Sequence, residues 1–345
     1  MMHMADALIS PQMGGGMLLV SGGLLSFSCR QIRTSFSERK IPLMAVAGAF
    51  VFAAQMINFT IPGTGSSGHL GGGLLLAILL GPWAGFLVMA SVLVVQALFF
   101  ADGGLLALGC NIFNLGFWTC FLAYPLIYQK ITAGQPSRGR LFAGAIIAAI
   151  VGLQMGAFSV VLETIFSGRT ELSLGTFTAA MLPIHLAIGL VEGLVTAAVV
   201  VFVHQARPEA LQPSISLEQK ASVRSVAVAL LAAAVLVGGI VSWFASAHPD
   251  GLEWAMAKTT GSEEVQSPQD GVHDSLASLQ EKTAILPDYG FASSDEEVTA
   301  ETWPAVNAGT SVSGLVGGLI TLALAALLGF GLKLGTRSIP AAASE

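Results

Sequence analysis

The chain has 345 residues, 54% of them apolar and only 10% charged, with a formal net charge of −6 and a mean hydropathy of +0.75. That composition excludes a soluble globule and describes an all-α, polytopic membrane bundle. Residues 247–311 hold twelve acidic residues against Lys258 and Lys282, a local −10 that leaves +4 for the remainder; no nucleic-acid partner is expected, and membrane lipid is the solvent.

The first element is the chain start, Met1-Met2-His3-Met4-Ala5-Asp6. A free amine followed at once by histidine can chelate a metal through the amine, a deprotonated backbone amide and the imidazole. A second imidazole completes a near-planar nitrogen set that suits Ni(II), Cu(II) and, less strictly, Co(II). With Met2 as first residue, the donors are the Met2 amine, the His3 amide, the His3 ring and His69. With Met1 retained, Met1-Met2-His3 supplies the nitrogens alone and His69 becomes an axial or displaced ligand. The expected start is Met2.

Apolar runs that span or nearly span a bilayer follow at 13–29, 41–58, 70–81, 84–100, 105–129, 141–163, 178–204, 223–246 and 312–332. The first lacks a basic n-region and a small-residue cleavage site, so a cleaved signal peptide is not expected. Basic clusters follow the first run (Arg30, Arg33, Arg39, Lys40), the fifth (Lys130, Arg138, Arg140), the seventh (Arg207, Lys220, Arg224) and the ninth (Lys333, Arg337). Placed in the cytoplasm by the positive-inside rule, they put the N-terminus outside the cell membrane and the C-terminus inside. Residues 59–69, the turn Ala101-Asp-Gly-Gly104 and the acidic loop 247–311 then share the outer side with His3.

Between the second and third runs lies Gly63-Thr-Gly-Ser-Ser-Gly-His-Leu-Gly-Gly-Gly73, which carries His69. Gln55 and Asn58 lead into it, and Thr64, Ser66 and Ser67 flank the histidine. Gln55, Asn58, Thr64 and Ser66 are therefore expected to support the loop by hydrogen bonds that fix the imidazole. Asp102-Gly103-Gly104 reads as a turn. His185 and Glu192, seven apart on one helical face, read as a structural polar pair. Cys29, Cys110 and Cys120 share no C-x-x-C spacing and read as packing residues.

Residues 206–221 are polar and Pro-bearing and read as a cytoplasmic linker between a seven-span unit, 1–205, and a two-span module, 222–345, with its external loop 247–311. Most of that loop reads as a solvated, partly disordered segment with no metal ligands assigned.

The stretch Met2-His-Met-Ala-Asp-Ala-Leu-Ile-Ser-Pro11, together with the His69 loop, Gly81-Pro-Trp83, Gln96-Ala-Leu-Phe-Phe-Ala-Asp-Gly-Gly104, Leu108-Gly-Cys-Asn111 and His185-Leu-Ala-Ile-Gly-Leu-Val-Glu192, closely resembles the CbiM/NikM family. These are the substrate-capture components of cobalt and nickel energy-coupling factor (ECF) transporters. The resemblance implies a seven-helix bundle in which Met2, His3 and His69 hold Ni(II) or Co(II) as transported substrate. It also implies two cytoplasmic ATPases and a membrane coupling component as partners. His248-Pro-Asp-Gly-Leu-Glu-Trp254 and Leu286-Pro-Asp-Tyr-Gly-Phe291 resemble the small CbiN/NikN-like accessory protein, here fused, that promotes metal loading.

Neither G-x-x-x-x-G-K-[ST] nor H-E-x-x-H occurs, so ATP hydrolysis is expected on separate subunits and the chain is read as a transporter component rather than an enzyme, without a catalytic cofactor. The alternative is an autonomous secondary metal transporter or channel, whose hallmark is a pathway of ionisable residues through the bilayer.

Overall fold

Backbone amides in hydrocarbon find partners only within their own segment or its immediate neighbours, so long apolar runs fold as helices. A computed structural model describes residues 3–35, 40–134, 136–170, 172–206, 220–262, 271–291 and 303–336. Among these, each expected run is helical: α1 (Pro11–Ser35), α2 (Ile41–Gln55), α3 (Gly73–Leu80), α4 (Pro82–Phe100), α5 (Leu108–Ile131), α6 (Arg138–Ser167), α7 (Leu174–Ala206), α8 (Lys220–Gly239) and, after two short helices α9 (Gly251–Thr260) and α10 (Gly271–Thr283), α11 (Ala308–Thr336). The linker expected at 206–221 lies, for 207–219, outside the described residues.

Span lengths vary among the nine expected runs, of which the third, 70–81, is expected to be short. Among the described residues, five helices, α4 to α7 and α11, are long and apolar enough to cross a membrane, while Ile41–Gln55 and Arg224–Gly239 are shorter apolar helices. At 1.5 Å per residue, the eight residues of α3 reach only about 12 Å; the helix is wholly buried. In α1 the glycines 14–16, 22 and 23, with Ser21, dilute the apolar character, and Ser21 donates to the Gly109 carbonyl at 2.6 Å.

The helices α6 and α7 pack along each other, and α2 packs against both α8 and α11, so the C-terminal hairpin is seated directly on the bundle. α8 and α11 approach backbone to backbone where Gly238 meets Gly314. Cys110 and Cys120 are buried, free thiols.

The described parts of the acidic loop depart from the solvated reading. Leu252, Ala255, Met256 and Leu286 are buried, and burial of apolar side chains, each worth about 1.5–3 kcal/mol when complete, holds α9 and the end of the loop on the bundle. Asp250 caps α9 by accepting from the Leu252 and Glu253 amides, and Glu253 returns a bond to the Asp250 amide.

Candidate metal centre

The N-terminal segment threads into the bundle mouth and is clamped there. The Met4 amide donates to Asn111 Oδ1 at 2.8 Å, Asn111 Nδ2 returns a bond to the Met4 carbonyl at 3.2 Å, and the Gly104 amide donates to the same carbonyl at 2.9 Å. Asp6 accepts from the Ala107 amide at 3.0 Å, and His273 of α10 donates through Nε2 to the Ile9 carbonyl at 3.0 Å. Met4 and Ile9 are fully buried, so His3 is carried inside. Its Nδ1 lies 2.8 Å from Asp102 Oδ1, while its Nε2 is buried with no hydrogen-bond partner among the described residues.

His69 follows a short antiparallel hairpin, β1 (Phe59–Ile61) and β2 (Ser66–Gly68), in which Phe59 pairs with Gly68. Its Nδ1–H donates to the Leu70 carbonyl at 2.8 Å, which leaves the lone pair on Nε2. The loop behind it is fixed from three sides. Gln55 Nε2 donates to the Gly71 carbonyl at 2.7 Å and is itself held by Gln96 at 2.9 Å; the Gly71 and Gly72 amides donate to the two Glu192 carboxylate oxygens at 2.8 and 3.1 Å. Gly72 has φ +79°, and a Cβ there would meet Val51 at 2.5 Å, so only glycine turns the chain into α3 here.

The two imidazoles face each other with centroids 5.6 Å apart and planes tilted by 50°. A metal–nitrogen bond of about 2.0–2.1 Å puts a ring centroid roughly 3 Å from its ion, so two rings sharing one ion lie at most about 6 Å apart. Burial, with neighbouring charges, holds the His69 ring well below its ordinary pKa, which keeps it neutral and competent to bind metal. Burial alone raises Asp102, but the His3 ring and the hydrogen bonds from His3 and Tyr289 bring it down to about 2. Among the described residues no group of three His, Cys, Asp or Glu side chains converges as a metal site. Two imidazoles therefore need further donors, which main-chain nitrogens can supply.

A cleft of about 520 Å³ opens onto His3, lined among others by Asp6, Asp102, Glu253, His273 and Tyr289. Both halves of the chain thus wall the approach. The accessory half also holds the hairpin: the Ser67 amide donates to the Pro249 carbonyl at 2.8 Å, Ser67 Oγ to the His248 carbonyl at 2.8 Å, and the Trp254 indole to the Thr64 carbonyl at 3.0 Å. At Gly251 the two halves approach closely, since a Cβ there would come to 2.9 Å from Ile184 and 3.0 Å from the His185 ring.

Of the residues expected to form the site, the structure brings His3 and His69 together, and Met2 lies outside the described residues. Gln55 donates to the Gly71 carbonyl, two residues beyond His69. Asn58 does not: its carbonyl accepts from the Ser246 amide at 2.7 Å and its Oδ1 is buried without a partner among the described residues. Thr64 and Ser66 bond within the hairpin, Thr64 to the Ile61 carbonyl and Ser66 to the Ser67 carbonyl. The pairing of His185 with Glu192 is also corrected, because His185 bonds the Met181 carbonyl of its own helix at 2.8 Å while Glu192 reaches across to the loop. Asp102, expected only as part of a turn, and Tyr289 join the site unannounced.

Glu192 yields a direct test. Glu192→Ala removes the acceptor of two buried amides, each bond to a charged group contributing about 1.5–3 kcal/mol. The expected result is a clear fall in unfolding temperature together with weaker metal binding, as the His69 loop loosens; scanning fluorimetry and metal titration read the two. Unchanged values in both contradict the clamp.

The model of the cobalt uptake substrate-specific transmembrane region, CbiM, matches residues 3–210, and that of the PDGLE domain matches residues 224–334. The "Putative fused nickel transport protein NikMN" of Archaeoglobus fulgidus is 34% identical over 328 residues, covering 94% of this chain and 96% of its own. The cobalt transport protein CbiM of Sorangium cellulosum is 32% identical over 181 residues, 49% of this chain and 76% of its own. A crystal structure of a transition metal transporter aligns with a TM-score of 0.52 at 30% identity, covering 59% of this chain and 92% of that one.

Proposed function

Since the chain belongs to the CbiM family of transition-metal uptake proteins, with a PDGLE domain behind the family region, we propose that it captures Ni(II) or Co(II) outside the cell membrane as the substrate-binding component of an ECF-type transporter. It is a multi-pass membrane protein. In this reading the ion is held by the Met2 amine, the His3 amide and ring, and His69, and moves inward when cytoplasmic ATPases act through a membrane coupling component. The observation that supports it most is the pair of buried imidazoles 5.6 Å apart, one with a nitrogen that has no partner among the described residues.

The donor set makes binding pH-dependent. The ion displaces protons from imidazole, amine and amide, so affinity is expected to fall steeply from about pH 7 to pH 5. Burial lowers the His69 pKa, so its share of that slope is smaller than an ordinary imidazole's. Metal analysis of the purified full chain and competitive Ni(II) and Co(II) titrations across that range test the reading. One ion per chain with a steep slope is expected; a pH-independent dissociation constant contradicts the donor set. Uptake by cells lacking the partner ATPases favours instead the autonomous transporter.

A further inference from the structure

We propose that Tyr289, in the PDGLE half of the chain, is a positioning residue of the metal site: it holds Asp102, and Asp102 holds the His3 ring. The inference rests on the reading that His3 is a ligand. The Tyr289 hydroxyl donates to Asp102 Oδ2 at 2.5 Å, and the other carboxylate oxygen accepts from His3 Nδ1–H at 2.8 Å. A metal-bound imidazole places its second N–H on just such an acceptor, and the acceptor fixes the ring's tautomer and orientation.

The placement of Tyr289 is built rather than incidental. Asp288 and Tyr289 have φ of +49° and +60°, a left-handed conformation that a bulky residue adopts only when its surroundings impose it. The Ile285 and Leu286 amides both donate to the Phe99 carbonyl, at 3.0 and 3.2 Å, and Gln280 donates to the Ala97 and Gly103 carbonyls, both at 2.8 Å. The Tyr289 ring stacks on Phe100 at 5.0 Å and 18°. Segment 280–289 is thus fastened to the end of α4, the same turn that carries Asp102, and only the hydroxyl reaches the carboxylate.

As held in this structure, the His3 ring presents Nε2 to an ion, with Nδ1–H on Asp102. A chelate through the His3 amide closes through Nδ1, which here faces Asp102, while Nε2 has no partner among the described residues. A half-turn of the ring puts Cδ2 where Nδ1 stands and carries Nε2 to the position of Cε1, on the carboxylate's side of the ring, so in that form Asp102 must shift to accept from Nε2. The ion-binding unit therefore includes a residue from the accessory half, which gives the fusion of the two halves a chemical consequence.

The test uses the full chain with its native N-terminus. Tyr289→Phe keeps the stacked ring and deletes only the hydroxyl. Ni(II) affinity by competition is expected to drop about 10–100-fold, the usual range for an outer partner of a ligating histidine, with a changed ligand-field absorption spectrum of the bound Ni(II) and a folded chain whose unfolding temperature falls no further than that of His3→Ala. Asp102→Asn should lose at least as much, and the Tyr289→Phe/Asp102→Asn double variant no more than Asp102→Asn alone, because both act along one path. Wild-type affinity and spectrum in Tyr289→Phe, or additive losses in the double variant, overturn the proposal. His69→Ala run in parallel separates the cases: loss of binding there with none in Tyr289→Phe leaves the metal site standing without its tyrosine, while wild-type binding in His69→Ala removes the site itself.

Discussion

His69→Ala is expected to abolish tight Ni(II) and Co(II) binding while the bundle remains folded. The imidazole faces His3 across 5.6 Å, and its one hydrogen bond to the surrounding chain among those described is to the adjacent Leu70 carbonyl. The loop that carries it is held independently through Gly71 and Gly72 by Gln55 and Glu192. Removing the ring thus deletes a ligand and leaves the scaffold, with at most the desolvation penalty of one carbonyl, about 1–3 kcal/mol. The loss of affinity should exceed the roughly 10–100-fold that follows loss of an outer partner. His3→Ala should lose binding as fully and more stability, because it leaves the Asp102 carboxylate buried with the Tyr289 hydroxyl in place of two partners. Competitive titration and thermal unfolding of the two variants decide the matter, and wild-type affinity in His69→Ala ends the two-histidine model.

Some of this arrangement is legible in the sequence. Hydropathy locates the helices because the bilayer leaves the backbone one local solution, and the chemistry of a chain-end histidine beside a glycine-framed histidine singles out His3 and His69 before any fold is known. Asp102 is not legible in the same way. Asp-Gly-Gly is a turn signal on local grounds, and its partners are 99 residues upstream and 187 residues downstream. Glu192 illustrates the opposite error. A seven-residue spacing places it on one face with His185, yet its carboxylate spans 121 residues to the Gly71 amide, since a buried carboxylate is drawn to unpaired amides and His185 already has a carbonyl within its own helix.

The acidic loop shows how net charge obscures a docked segment. Leu252, Ala255 and Met256 form a buried stripe at helical spacing, and Pro-Asp-Gly-Leu-Glu is a helix start whose Asp250 and Glu253 form a capping box. Both patterns are in the sequence, but twelve acids across residues 247–311 argue locally for solvation. What outweighs them is apolar area offered by the bundle mouth, which one segment's composition does not reveal.

An uncleaved N-terminal tag is expected to destroy high-affinity binding, whereas a C-terminal tag leaves it intact. On the proposed donor set the terminal amine and an early amide are ligands, and a tag converts the amine into a peptide nitrogen while shifting the free amine away. The chain cannot slide to compensate. Met4 is fully buried and bonded on both its amide and its carbonyl, to Asn111 and Gly104, Asp6 is bound to the Ala107 amide, and Ile9 to His273, so the position of His3 is fixed from behind. Removing Met1 should preserve or improve affinity by making the Met2 amine the terminal donor, and proteolytic release of a tag that regenerates this start should restore it. Nickel titration of tagged, cleaved and Met1-less forms tests the series, with His69→Ala as the reference for a lost site. Tight binding that persists under an uncleaved tag excludes the amine as a ligand and leaves the two imidazoles to find their remaining donors elsewhere in the cleft.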